Sequence, residues 1–239
     1  MGNIFAVAGD NWMALNRNPY PGRGIVMGMD CTGEYVVQIY WIMGRSANSR
    51  NRVFSVEGGR VFTEPADPAK VNDPSLIIYT AMERVGFRYA VSNGSQTDKV
   101  ADRGIDALRK YHYEPDAPNF TPRITGVVEW LDGNIPVLRF AILRKSKFGD
   151  GCDTLSYDYP CVGNGFGYCV TTYMGDGDPL PSFEGEPIPL PIVGNIGRVA
   201  RNYWGILNAA NRVSLAVKFI PLDGGQTEVR IINKYKKIA

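Results

Sequence analysis

GRGIVMGMDCTGEYVVQIYWIMG, residues 22–44, contains two runs rich in β-branched, aromatic and long apolar side chains around Asp30-Cys31-Thr32-Gly33. Short runs bounded by Gly and Asp read as strands, and Thr32-Gly33-Glu34 reads as a hairpin turn between them. Downstream, NRVFSVE (51–57) and RVFTE (60–64) flank a second turn at Glu57-Gly58-Gly59-Arg60. IFAVAG (4–9) is read as a strand too, so the first 65 residues predict an antiparallel meander.

Further along, DPAKVNDPSLIIYTAMERVG (67–86) mixes turn signals with an apolar stretch, and RYAVSNG (88–94) is another short strand. The period then changes. TDKVADRGIDALRKYHYEPD (97–116) places Val100, Ile105 and Leu108 at roughly helical spacing, with Thr97 or Asp98 able to cap it. RITGVVEWLDGNIPVLRFAILRKS (123–146) reads as a hairpin around Asp132-Gly133-Asn134, and GYCVTTYMGDGD (167–178) as one more strand. DPLPSFEGEPIPLPIVG (178–194) carries five of the 16 prolines, so it is expected to be an ordered surface crossing with no regular helix or sheet interior. NIGRVARNYWGILNAANR (195–212) puts Ile196, Val199, Tyr203, Ile206 and Leu207 on one helical face, and VSLAVKFIPL and TEVRIINKYKK close the chain as a hairpin. This order predicts one α+β domain over residues 1–239, with helices covering a large antiparallel sheet system.

An apolar fraction of 44% with 21% charged residues suits a chain that buries a real core. The balance of 26 basic and 24 acidic residues argues against a nucleic-acid binder, so any electropositive feature must be local. Four cysteines without C-x-x-C spacing and a single histidine, His112, argue against a zinc site and favour reduced core thiols over disulfides. No basic leader and no run of about 18 apolar residues is present. The expectation is a cytoplasmic protein that binds neither membrane nor nucleic acid and uses no metal.

Three stretches concentrate chemistry. In GRSANSRNRVF (44–54), an extended SRNR would put Arg50 and Arg52 on one face about 7 Å apart, able to fork onto one phosphate or carboxylate. A solvated turn bearing Arg45, Arg50 and Arg52 fits the same spacing. YAVSNGSQTD (89–98) supplies short donors and acceptors before a helix start, or is a plain turn. YHYEPDAPNFTPRI (111–124) holds Glu114 and Asp116 in a proline-stiffened segment, as acid/base groups if buried or as surface acids if not. GNGFGY (163–168) lacks the G-x-G-x-x-G spacing of a nucleotide loop, and one histidine makes a Ser-His-Asp machine improbable.

Taken in order, YPGRG (20–24), GRSANSRNR (44–52), NDPSLIIYTAM (72–82), SNGSQTD (92–98) and YEPDAPNFTPRI (113–124) resemble the archaeal-type IMP cyclohydrolases and their bacterial relatives. The resemblance covers roughly residues 4–130 and thins afterwards. It implies a four-layer αββα sandwich similar to the N-terminal-nucleophile hydrolases. It also implies a cofactor-free ring closure of 5-formamidoimidazole-4-carboxamide ribonucleotide (FAICAR) to IMP, the last step of purine biosynthesis, in a homo-oligomer. The substrate's 5′-phosphate gives a nearly neutral chain a reason to gather arginines. Ring closure needs orientation, oxyanion stabilisation and proton transfer, and needs no covalent nucleophile.

Carried over residue by residue, the resemblance implies Arg23 and Arg50 as phosphate or substrate-oxygen contacts and Tyr79 beside the reacting formyl group. Asn93 is expected to hold the carboxamide and Glu114 to move the proton. Arg123 would polarise an oxygen or fix Glu114, with Arg45 and Thr97 as further substrate contacts. The chain is longer than the short archaeal forms, mainly after residue 145. Rival readings are a purine-ribonucleotide-binding relative with an altered or lost reaction, an amide hydrolase of the related fold, and a non-catalytic RNA-binding module. Met1-Gly2 lacks the Cys, Ser or Thr that the hydrolase would need, and the +2 charge disfavours RNA.

Overall fold

A computed structural model describes residues 3–71, 74, 77–130 and 135–237. After helix α1 (Ile4–Arg17), β1 (Gly24–Met29) and β2 (Tyr35–Met43) form the expected hairpin. A single helical turn, α2 (Ala47–Arg50), leads into β3 (Val53–Glu57), β4 (Arg60–Glu64), β5 (Thr80–Val85) and β6 (Arg88–Ser92). Helix α3 (Thr97–Arg103) precedes β7 (Arg123–Glu129), β8 (Val137–Lys145) and β9 (Cys152–Pro160). Then come β10 (Phe166–Thr171), β11 (Ile188–Pro191), α4 (Ile196–Ile206), β12 (Arg212–Pro221) and β13 (Glu228–Asn233).

The strands make two antiparallel sheets. One has the order β11-β10-β1-β2-β12-β13, the other β3-β4-β5-β6-β7-β8-β9. Alternation along each strand explains how they stack. In the first sheet Ile25, Met27, Tyr40 and Ile42 meet Val91, Ile124 and Phe140 of the second in a shared core. The intervening Val26, Ile39 and Trp41 point the other way, onto Leu15 of α1 and Val199 and Tyr203 of α4. On the second sheet Ala90, Val127 and Ala141 pack against Val100 and Ala101 of α3. The continuous apolar runs of β1 and β2 thus belong to strands covered on both faces.

Several expectations need correction. IFAVAG is helical: Asn3 caps α1 by accepting from the Phe5 amide, and burial falls on Ala8 and Leu15 at helical spacing. The helix from residue 97 stops at Gly104, whose φ of 77° no other residue adopts easily, and a 3-10 turn follows over Ile105–Lys110. Its N-cap position is Gln96, with no side-chain capping bond, so neither Thr97 nor Asp98 caps it. The proline-rich crossing contains β11, which escapes the proline objection because it is a sheet edge. The β7–β8 pairing is as expected, and its turn at Asp132-Gly133-Asn134 lies outside the described residues, as do Met1-Gly2 and Asn72, Asp73, Ser75 and Leu76. All four cysteines are free; Cys161 and Cys169 are core thiols, whereas Cys31 is exposed and Cys152 half-buried. No described helix is long and apolar enough to cross a membrane.

Candidate active site

The same alternation delivers polar groups to one end of the inter-sheet core. Arg23 precedes β1 on the face of Ile25 and Met27, and Arg52 precedes β3 on the face of Phe54. Tyr40 and Tyr79 belong to the same buried cluster and share a hydrogen bond of 2.7 Å between their hydroxyls. Arg23 is anchored by its own backbone: its N–H donates to Thr172 Oγ1 at 3.0 Å, and its carbonyl accepts from the Thr172 amide at 2.8 Å.

Glu114 faces this end from the 111–122 loop and is only 2% exposed. Its amide donates to the Thr121 carbonyl at 2.8 Å, and Asp116 tightens the loop by accepting from the Thr121 amide at 2.6 Å and from its hydroxyl. Glu114 Oε1 lies 3.6 Å from Arg23 Nη1 and 3.9 Å from Arg123 Nη1, beyond hydrogen-bond reach of both, and has no hydrogen-bond partner among the described residues. Burial pushes its pKa above the usual carboxylate range, against the pull of Arg23 and Arg123. Burial also works against the Arg23 charge, but the Glu114 carboxylate opposes that and the guanidinium stays protonated.

Arg123, at the start of β7, donates from Nε to the His112 carbonyl (2.8 Å) and from Nη1 to Gln96 Oε1 (2.9 Å). Gly94 packs closely against this group: a Cβ there would sit 2.3 Å from Arg123 Nη1 and 3.5 Å from Glu114 Oε1, so any other residue would have to displace the Arg123 guanidinium. The SNG turn therefore lets backbone close on the carboxylate–guanidinium pair.

Arg23 and Glu114 line a cavity of about 340 Å³, walled also by Tyr20, Arg45, Ser46, Asn48, Arg52, Asp116, Thr121, Tyr173 and Leu180. Of the three arginines that line it, Arg52 is the one without a carboxylate partner among the described residues. The residue is 3% exposed, and its guanidinium donates to the Ser49 carbonyl at 2.9 Å and the Met43 carbonyl at 3.4 Å. Burial lowers its pKa, and the nearby Arg23 charge adds to that, so an incoming anion would relieve an uncompensated charge. Tyr173 closes the opposite wall, its hydroxyl bonded to Thr121 Oγ1 and its pKa pushed up to about 12 by burial. Larger clefts of about 820 and 550 Å³ exist elsewhere, but neither gathers arginines.

The residues expected from sequence divide into two groups. Arg23, Glu114 and Arg123 come together, Tyr79 stands behind them against Tyr40, and Arg45 lies on the cavity wall. Arg50 goes elsewhere. SRNR is not extended, because Ser46 and Ser49 form a reciprocal capping box that turns residues 47–50 into α2. Arg50 then donates from Nε to the Gly44 carbonyl at 2.9 Å and faces a different hollow, with Lys70 and Tyr235. Asn93 is fully buried, with Nδ2 on the Pro122 carbonyl (2.9 Å) and Oδ1 accepting from the Ile124 amide (2.8 Å), so its amide clasps the turn to β7. Thr97 is likewise buried, bonded to Ser92 and the Gly94 carbonyl. Sequence reasoning set Arg50 and Arg52 together as an anion fork and carried only Arg50 into the site, and it missed Tyr40, Tyr173 and Thr121. The signal that separates Arg52 is its place two residues before the inward Phe54.

This arrangement offers seats for an anion beside a buried carboxylate able to exchange a proton nearer neutrality, flanked by two guanidiniums that can stabilise developing negative charge. The family described as "IMP cyclohydrolase-like protein" matches residues 20–225. The IMP cyclohydrolase of Methanothrix thermoacetophila is 34% identical over 147 residues, covering 55% of this chain and 70% of the relative. That of Methanopyrus kandleri is 30% identical over 186 residues, or 69% of this chain and 89% of the relative. A third, from Haloquadratum walsbyi, is 32% identical over 119 residues, 46% and 56% of the two chains. The matched span begins at Tyr20 and takes in every residue lining the arginine-walled cavity; the chain belongs to the IMP cyclohydrolase-like family.

Proposed function

We propose that the protein is an IMP cyclohydrolase, closing the ring of FAICAR with loss of water. The observation that carries this reading is Glu114 Oε1, buried without a hydrogen bond between Arg23 and Arg123 at a cavity that Arg52 also enters. The carboxamide nitrogen attacks the formyl carbon, forming the C–N bond as the formyl C=O becomes an alkoxide. Arg23 and Arg123 stabilise that oxygen. Glu114 takes a proton from the attacking nitrogen and gives it to the alkoxide, forming the carbinolamine; it then relays the former formamido N–H proton to the hydroxyl, which leaves as water as the C=N bond forms and completes the purine ring. Arg52, with Arg45 at the rim, holds the 5′-phosphate, and the Tyr40–Tyr79 hydroxyl pair braces the wall behind the reacting groups. The fold is a four-layer αββα domain similar to the N-terminal-nucleophile hydrolases, a reading supported by α1 and α4 on one outer face and α3 on the other.

The test is purine-ring absorbance on mixing purified protein with FAICAR, with no metal or cofactor added. Saturable turnover above the protein-free rate is expected. A folded protein that gives no turnover contradicts the reading.

A further inference from the structure

The arginines around the cavity are held in different ways. Arg23 and Arg123 flank Glu114, and Arg52 is pinned by two backbone carbonyls. Arg45 is held by a side chain from the far half of the sequence: it pairs with Asp176, donates to the Gly177 carbonyl at 3.3 Å, and lies over the Tyr20 ring at 4.9 Å. Asp176 is the central residue of Gly175-Asp176-Gly177, at the tip of a loop whose base is closed. A bridge joins Tyr173 to Ser182, and the Met174 amide donates to the Pro181 carbonyl at 2.9 Å. Beyond that base, the tip is tied down by the Leu180 amide on Asn119 Oδ1 (3.0 Å) and by the Arg45 pair itself.

The two side chains of the pair are 39% and 46% exposed, so their attraction is screened and contributes little to stability. A phosphate monoester dianion presents the same oxygen geometry to a guanidinium with about twice the charge. Release of Asp176 leaves the loop base intact and returns a carboxylate to water, where its solvation is complete.

We propose that Asp176 is an internal stand-in for the ligand's phosphate. It holds Arg45 until the phosphomonoester displaces it, so that Arg45 engages only ligands bearing that group. This rests on the nucleotide reading of the cavity and assigns the far half of the chain a part in specificity. The exchange is non-covalent: one ion pair is replaced by another on the same guanidinium.

The experiment is calorimetric titration of wild type, Asp176→Asn and Asp176→Ser with IMP, inosine and inorganic phosphate, repeated in an Arg45→Ala background. Both Asp176 variants should bind IMP and phosphate about two- to fivefold more tightly than wild type, the scale of an exposed ion pair, with inosine unchanged. The gain should vanish once Arg45 is gone. If wild type binds IMP and neither variant binds it more tightly, or the gain survives Arg45→Ala or extends to inosine, the stand-in role is overturned while the nucleotide reading stands. If IMP does not bind but phosphate tightens as expected, the exchange stands and the nucleotide reading fails. Binding of neither overturns both.

Discussion

Lys218 and Glu114 are both buried in the space between the sheets, and they are treated in opposite ways. Lys218 on β12 is 1% exposed, and its ammonium donates to the Gly59 carbonyl of the β3–β4 turn at 2.8 Å. It does not line the arginine-walled cavity. Glu114 is buried to the same degree, yet Oε1 has no hydrogen bond, its cationic neighbours stop just out of reach, and a cavity opens beside it. A buried ion bonded to the backbone of the facing sheet ties elements together. One left with unused lone pairs at a cavity is poised for a ligand, because desolvation has already been imposed and the missing bond remains to be made.

The largest effect that follows is at Glu114. Glu114→Gln should lower turnover by about 10²- to 10⁴-fold while leaving the thermal midpoint within a few degrees, checked by the FAICAR assay beside calorimetric melting. Next come the arginines at and just past the end of α2. Arg52→Ala should reduce kcat/KM about 10- to 100-fold, the range for losing charge-assisted bonds to an anion, whereas Arg50→Ala should change it by less than about threefold. Equal losses at both positions would erase the distinction drawn between the two hollows.

Lys218 supplies the stability counterpart. Burial lowers its pKa to about 8 from the ordinary 10.5, so between those values the unfolded chain binds a proton that the native one lacks. Stability should therefore rise with pH across that window by about 3 kcal/mol, and Lys218→Met should flatten the rise without touching turnover. Urea unfolding on either side of the window measures this. The subtlest expected effect is one of pH dependence at Arg123, whose charge opposes the upward shift of Glu114 and whose loss also slows turnover by removing a guanidinium from the developing oxyanion. Arg123→Ala should move the acid limb of the pH–rate profile to still higher pH, since the proton-accepting carboxylate then forms later.

Local patterns were readable where one physical rule acted alone. The β1–β2 hairpin follows from two apolar runs around a turn, and α4 from five apolar residues on one helical face. IFAVAG misled because its composition suits either a strand or a helix, and Asn3, which tips it to a helix, lies just outside the quoted run. Arg50 and Arg52 illustrate the sharper difficulty. An i, i+2 pair shares a face only in extended chain, and one capping box at Ser46 and Ser49 rotates Arg50 off the cavity while Arg52 keeps the inward phase of β3. Asn93 and Thr97 were readable as special positions, but their side-chain bonds go to the backbone around the turn. Tyr173 and Asp176 reach the site from more than a hundred residues beyond Arg23 and Arg45 in sequence, through a sheet order that puts β10 beside β1 and that no local pattern encodes.

The most direct single measurement is a crystal structure of the protein soaked with IMP. The expected result is the phosphate on Arg52 and Arg45, with the six-membered ring against Glu114, Arg23 and Arg123. IMP seated in another cleft, with the arginine-walled cavity holding only water, would contradict the assignment of that cavity as the place where the ring is closed.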